Sequence, residues 1–353
     1  MSGIPTFSIT SHPGNLTGLV VIHGSYSAWD GYILSEWFDI LSIIESKGAK
    51  VHPGGASSWE DLEAGLVAGF GRLPDAIIMV EQFHLIGEWG PRESEALRAM
   101  KVVTLNDDLH FHAPLVRSQK LASFLASDLP LLTYPFTLPI IYPELVSLKT
   151  TWIPHSAGRH FDKLQVNMEP MRKVLLAGSA GVEYYPYRRM IWDKYEKGDD
   201  RFTVIKHPGY SSDFAATSQD SNATNDETSK TIITGRHFGS TLNSYLSCVT
   251  CGSKLLYAVA KIFEIPASGC LLLLNHEMSP QVLALGFEHG VHYLAYTVDT
   301  LDEIVDWVLD EKNMVEVNKI RRRGFELARR RHTYKNRAEA IVDAVEKVIN
   351  GTY

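Results

Sequence analysis

Short apolar runs alternate with amphipathic stretches along this sequence, lapse between residues 121 and 155, and resume after residue 166. "LTGLVVIHGS" reads as a strand ending at Gly24, and "YILSEWFDILSIIESKG" as a helix stopped by Gly48. "AKVHPG", "PDAIIMVEQF" and "KVVTLNDDLHFH" follow as strands, with "WEDLEAGLVAGF" and "ESEALRAM" as the helices between them. A strand-helix-strand order forces parallel pairing, because an antiparallel neighbour needs only a tight turn. The stretch "LPLLTYPFTLPIIYPELV" is rich in proline and aromatics and is expected to form turns and extended chain.

The second series opens with the strand "MRKVLLAGSAG", the helix "YPYRRMIWDKYEKG" and the strand "RFTVIKHPGY". A polar, low-complexity stretch, "SSDFAATSQDSNATNDETSK", is expected to be a surface loop. Helices are expected in "GSTLNSYLSC" and "VTCGSKLLYAVAKIFEIPASG", then strands in "CLLLL" and "VHYLAYT", then helix to the end. The chain therefore reads as α/β, with two Rossmann-like domains, 1–165 and 166–335, facing a central cleft. A helical segment, 336–353, is expected to cross back to the first domain.

A length of 353 residues suits two domains rather than one. A net charge of -7 disfavours a large nucleic-acid surface. The N-terminus lacks a basic stretch followed by an apolar one, and no run of 18 apolar residues occurs, so a cytoplasmic location is expected. Cys248, Cys251 and Cys270 are few and odd in number, and read as buried thiols despite the C-x-x-C spacing of the first two.

Ligands of doubly wound sheets bind outside the carboxyl ends of the strands. The loops expected there carry the Gly, Ser, His, Asp and Arg residues. "HGSYSAWDG" holds His23, Gly24 and Ser25. "NDDLHFH" holds Asp107, Asp108, His110 and His112. "GSAGVEYYPYRR" holds Gly178, Ser179, Gly181, Arg188 and Arg189, and "KHPGY" holds Lys206. The spacing D-D-x-H-x-H has the chemistry to ligate a metal and equally to cap a turn. Glu264 stands three residues after Lys261 on one helical face, which is also the spacing of a plain ion pair. "RRRGFELARRRH" reads as a solvated basic helix face.

Four stretches carry a resemblance to GT-B glycosyltransferases of the family 1/4 type, in the subgroup that includes spore-coat maturation proteins. They are "RKVLLAGSAGVEYYPYRRMIW", "KIFEIPASGCLLLL", "YTVDTLDEIVDWVLDE" and "RRRHTYKNRAEAI". The resemblance implies transfer of a sugar from a nucleoside diphosphate sugar to an acceptor hydroxyl, with no metal or other cofactor. It implies that Glu264 accepts the ribose hydroxyls, and that Lys261, Arg188, Lys206, Gly178, Ser179, Gly181, Ser268 and Gly269 surround the donor. His23, Gly24 and Ser25 would face the acceptor. Asp107, Asp108 and His110 are the candidates for an inverting base, while the resemblance leans towards retention of the anomeric configuration, where no such base is needed. Many relatives carry a second Glu where this chain has Leu256. That departure keeps open a second reading, a nucleotide- or sugar-binding protein on the same scaffold that has lost catalysis.

Overall fold

The computed structural model describes residues 14–24, 35–81, 86, 88–107, 109, 114–181, 183–205 and 235–353. Its elements run β1 (Val20–His23), α1 (Ser35–Ser46), β2 (Lys50–His52), α2 (Trp59–Phe70), β3 (Ala76–Val80), α3 (Glu95–Ala99), β4 (Lys101–Asn106), α4 (Pro114–Ala126), β5 (Leu129–Leu132), α5 (Leu138–Ile141) and β6 (Thr151–Trp152). They continue with β7 (Met171–Ala177), α6 (Pro186–Glu196), β8 (Phe202–Ile205), α7 (Gly235–Asn243), β9 (Tyr245–Thr250), α8 (Lys261–Ala267), β10 (Leu271–Asn275), α9 (Ser279–Ala284), β11 (Leu294–Tyr296), α10 (Leu301–Leu309), α11 (Met314–Arg331) and α12 (Tyr334–Ile349).

Two compact units result. The first is 1–27, 38–154 and 335–353; the second is 28–37 and 155–334. The first holds a six-stranded sheet in the order β2-β1-β3-β4-β5-β6, and the second a five-stranded sheet in the order β11-β10-β9-β7-β8. Every ladder in both sheets is parallel. Parallel strands covered by helices lose the in-out alternation and become continuous apolar runs. Thus "AIIMV" of β3 and "LLLL" of β10 are buried along their whole length. The first core gathers Val21, Leu62, Leu66, Ile77, Met79 and Val102; the second gathers Val174, Leu176, Ile191, Phe202, Leu271 and Leu273. Burying each such side chain stabilises by about 1.5–3 kcal/mol.

Four segments depart from the sequence expectation. "YLSCVT", expected to be helical, is β9, with all six residues buried. A short apolar run buried on both faces has no period by which to tell strand from helix. The helix expected across 249–269 is confined to Lys261–Ala267, and Leu256 takes a left-handed φ of 56°. β5 lies inside the proline-rich stretch. Pro130 is tolerated because β6 pairs only with Leu131 and Leu132, which leaves the Pro130 position at a free edge. Helix α4 was not anticipated by the sequence pattern.

Candidate functional site

In each sheet the chain reverses its direction of winding once. The second sheet reverses between β7 and β9, and their carboxyl ends carry Gly178 and Thr250–Cys251. Gly178 has φ +122°, and a Cβ there would lie 3.0 Å from Arg188 Nη1 and 3.7 Å from Lys261 Cε. Only glycine lets the backbone turn here and lets two cations approach it.

Arg188 is buried, at 3% exposure, and spans the crevice. Its Nη1 donates to the Ser179 carbonyl at 3.1 Å; its Nη2 donates to Thr250 Oγ1 at 3.0 Å and to the Cys251 carbonyl at 3.2 Å. The guanidinium lies 4.0 Å from the Tyr185 ring centroid. Among the described residues no carboxylate pairs with it, so its charge stays uncompensated at the strand ends. Arg189 instead is half-buried and pairs with Asp193 at 2.6 Å.

Lys261 and Glu264 stand on the first turns of α8. Lys261 Nζ donates to Glu264 Oε2 at 3.1 Å and sits 4.6 Å from the Phe238 ring centroid. Both side chains are largely covered, at 16% and 13% exposure. The i,i+3 ion pair read from the sequence is therefore present. It occupies only one carboxylate oxygen; Oε1 has no hydrogen-bond partner among the described residues. A second ring of contacts fixes the neighbouring strand ends. Tyr296 donates to the Thr250 carbonyl at 3.0 Å, and Tyr187 donates to Glu277, which also accepts from Asn275 Nδ2 at 2.8 Å. Burial would raise the Glu277 pKa, but the Tyr187 and Asn275 donors outweigh it and hold the carboxyl below its usual range. Burial and Glu277 together push the Tyr187 hydroxyl up to about 12.

Ser268 and Gly269 are not part of this cluster. They precede β10 and so lie at the amino edge of a parallel sheet, opposite Gly178. The Ser268 hydroxyl donates to the Ile265 carbonyl at 2.6 Å. Gly269, at φ +84°, is needed for packing, since a Cβ would come within 2.9 Å of Val166 Cα. Gly181 is exposed and accepts from the Tyr184 and Tyr185 amides, and Ser179 is half-buried beside it. Lys206 lies outside the described residues.

The first sheet reverses between β1 and β3. His23 ends β1 and is 1% exposed. Its Nδ1 lies 3.1 Å from His52 Nδ1, at the end of β2. Burial, and then the neighbouring His52, pull the His23 pKa down to about 4. Gly24, at φ 109°, donates its amide to the His52 carbonyl at 2.9 Å. Asp107 follows β4, and its amide donates to Glu81 Oε1. Ser25, Asp108, His110 and His112 lie outside the described residues, and no group of three metal-ligating side chains occurs among those described.

The sequence did not single out Glu81, Lys120, His52, Phe238 or the Glu36–His155 pair. Glu81 follows β3 in a left-handed conformation, φ 53°, and lies 3.7 Å from the fully buried Lys120. Glu36 is buried in the second unit and accepts from His155 Nδ1 and from the Ser156 amide at 2.7 Å. Burial would raise its pKa, but His155 and those hydrogen bonds prevail and lower it. No sequence signal links positions 120 residues apart; the positive φ of Glu81 is equally silent, since Glu has no turn propensity.

The basic run on α11 is only partly solvated. Arg322 and Arg323 are exposed. Arg321 is buried and donates to the Gly269 and Asn167 carbonyls at 3.1 and 3.0 Å. Within the "HTY..R" element, His332 contacts the Leu285 carbonyl at 2.9 Å, and Arg337 donates to the Pro154 carbonyl at 2.8 Å. The three cysteines are buried and free. Among the described residues no helix is long and apolar enough to cross a membrane.

Residues 225–343 match the model of a family described as "Glycosyl transferase-like". No curated protein matches the chain. Among solved structures, Anabaena Alr3699/HepE in complex with UDP and glucose is similar with a TM-score of 0.59 at 12% identity, over 93% of this chain and 99% of that one. An alpha-glucosyltransferase in complex with UDP and a 13-mer DNA gives 0.57 at 11% identity, over 93% and 100%. A glycosyltransferase from Rickettsia africae ESF-5 gives 0.54 at 8% identity, over 94% and 99%. The chain has the two-sheet α/β fold of these GT-B glycosyltransferases.

Proposed function

We propose that the chain is a glycosyltransferase. It takes a sugar from a nucleoside diphosphate donor held at the carboxyl end of the second sheet and passes it to a hydroxyl group. The observation that carries this reading is the convergence of Arg188 and Lys261 on the Gly178 turn, with the half-used Glu264 carboxylate beside them. A diphosphate needs cations and an open backbone turn next to a helix N-terminus, and α6 starts after this turn. Two ribose hydroxyls need a charged acceptor, and Glu264 Oε1 provides one.

In this reading Lys261 meets the charge that grows on the departing diphosphate, while Arg188, locked beneath the turn, adds a fixed positive field without touching the donor. Fixed cations of this kind do the work that a metal does elsewhere, so the transfer is proposed as metal-independent. Asp107, with Asp108 and His110, remains the proposed source of a base should the transfer invert, and His23 and Gly24 are proposed as acceptor-side residues. The UDP and glucose held by the similar Anabaena protein support a uridine donor. DNA, bound by the similar alpha-glucosyltransferase, is not proposed as the acceptor, because a net charge of -7 opposes a polyanion.

The test is a titration with UDP, GDP and UDP-glucose, reading thermal midpoint and free nucleotide together. A higher midpoint with UDP and release of UDP from UDP-glucose support the enzyme. Stabilisation without release supports the inactive binder that Leu256 keeps open. No response to any of the three overturns the reading.

A further inference from the structure

Helix α11 is clamped along one face. Val317, Ile320, Arg321, Gly324, Leu327 and Ala328 are buried there. A Cβ at Gly324 would meet the His292 carbonyl oxygen at 2.5 Å, and Arg321 donates to the Gly269 and Asn167 carbonyls. A helix seated that closely presents its outer face in one fixed orientation. Residues three, four, seven, eight and eleven places after Val315 fall on one stripe of a helix. Here they are Asn318, Lys319, Arg322, Arg323 and Glu326, and with Val315 they line a hollow of about 380 Å³.

The charges of this stripe do not stabilise the helix that carries them. Lys319 stands three and four residues before Arg322 and Arg323, a spacing at which like charges repel. Glu326 stands four and three residues after the same arginines, within reach of an ion pair. Yet Arg322, Arg323 and Glu326 form no ion pair among the described residues. Elsewhere arginines of this chain do take carboxylates: Arg72 holds Asp75, Arg117 holds Glu144, and Arg201 holds Asp199, Asp302 and Asp306. With 41 acidic against 34 basic residues, the chain has carboxylates to spare, and two adjacent arginines still lack one.

Buried Arg321 also orients the Asn318 amide. Its Nη1 donates to Asn318 Oδ1 at 2.7 Å, and a guanidinium can only donate. The amide oxygen is thereby committed to Arg321, which leaves Nδ2, a donor, for the hollow. The lining thus combines two guanidinium forks, an amide donor and the Lys319 ammonium, which is shared with Glu316 at 3.1 Å. One acceptor, Glu326, stands at one end, and apolar Val315, 84% exposed, at the other. Guanidinium forks match the oxygens of a phosphate, and a volume of this size also admits an organic group attached to it.

We propose that the outer face of α11 binds a phosphate ester. Arg322, Arg323 and Asn318 Nδ2 hold phosphate oxygens, and Glu326 accepts from a hydroxyl of the organic group. The site shares no residue with the Gly178 turn, and Arg321 ties α11 to the opposite edge of the sheet, so it stands apart from the donor reading.

The test uses the full chain. Calorimetry with glycerol 3-phosphate and with inorganic phosphate reads a free ester; flotation with phosphatidylglycerol vesicles, against phosphatidylcholine vesicles, reads a lipid headgroup. Binding in either arm is expected to weaken on the order of tenfold or more in Arg322→Gln/Arg323→Gln, with an equal or higher thermal midpoint because like charges are removed. Arg72→Gln, which removes an exposed arginine elsewhere, is expected to bind like the wild type. Glycerol 3-phosphate is expected to bind more tightly than inorganic phosphate, and Glu326→Ala to remove that margin. Binding that survives in the double variant, that falls equally in Arg72→Gln, or that UDP displaces overturns the proposal. So does the absence of binding in both arms. Wild-type protein that binds a phosphate ester but no UDP sinks the donor reading and leaves this site standing.

Discussion

The two sheets reverse direction in the same way, yet their reversal points are built from opposite chemistry. In the second, a buried guanidinium ties the β7 and β9 ends together, with a lysine and a carboxylate beside it. In the first, a neutral imidazole whose Nε2 has no hydrogen-bond partner among the described residues sits at the end of β1, and a strained glutamate follows β3. One point is cationic, with Arg188 Nε and Glu264 Oε1 left without hydrogen-bond partners among the described residues; the other is neutral and leaves His23 Nε2 without one. The first kind of surface attracts phosphate, and the second suits a hydroxyl. The contrast teaches that topology chooses where a ligand sits, while a few side chains choose which ligand.

Breaking the braced point should cost most. Arg188→Met leaves the Ser179 and Cys251 carbonyls and Thr250 Oγ1 without their donor. A loss of about 3 kcal/mol in unfolding free energy is expected from denaturant titration, with weaker UDP binding. His23→Leu at the other point should leave stability equal or higher, so the pair of variants measures the difference between the two sites.

Acid should separate them next. The folded state keeps His23 at about 4, against 6.5 for an ordinary histidine. The unfolded chain therefore takes up a proton that the folded chain refuses. Stability is lost as pH falls from about 6.5 to about 4, by up to about 3 kcal/mol, and is level below that. The slope over that window should flatten in His23→Leu.

Glu264→Ala should weaken UDP binding by about 1–3 kcal/mol in calorimetric titration, as for a lost charge-assisted acceptor. The smallest effect concerns backbone alone. Glu81→Gly and Glu81→Ala both remove the carboxylate that accepts from Asp107. Gly adopts φ 53° freely, so the Gly variant should be more stable than the Ala variant by about 1 kcal/mol.

Much of this was legible in the sequence, and the reasons for the rest are physical. The alternation of "LVVIH", "AIIMV" and "LLLL" with helical spacing gives parallel α/β sheets, because covered strands must be apolar on both sides. Gly178, Lys261 and Glu264 were visible as a glycine turn and an i,i+3 pair. Ser268 and Gly269 adjoin Glu264 in sequence, but a helix of seven residues carries them to the far edge of the sheet. β9 escaped notice because "YLSCVT" has no period. The His23–His52 contact escaped too, since it joins the ends of β1 and β2 across an intervening helix.

The most direct test of the donor site is a crystal structure of the chain with UDP. The diphosphate is expected at the Gly178 turn beside Lys261, with a ribose hydroxyl within hydrogen-bond distance of Glu264 Oε1. UDP seated elsewhere, with that oxygen bound only to water, would contradict the account.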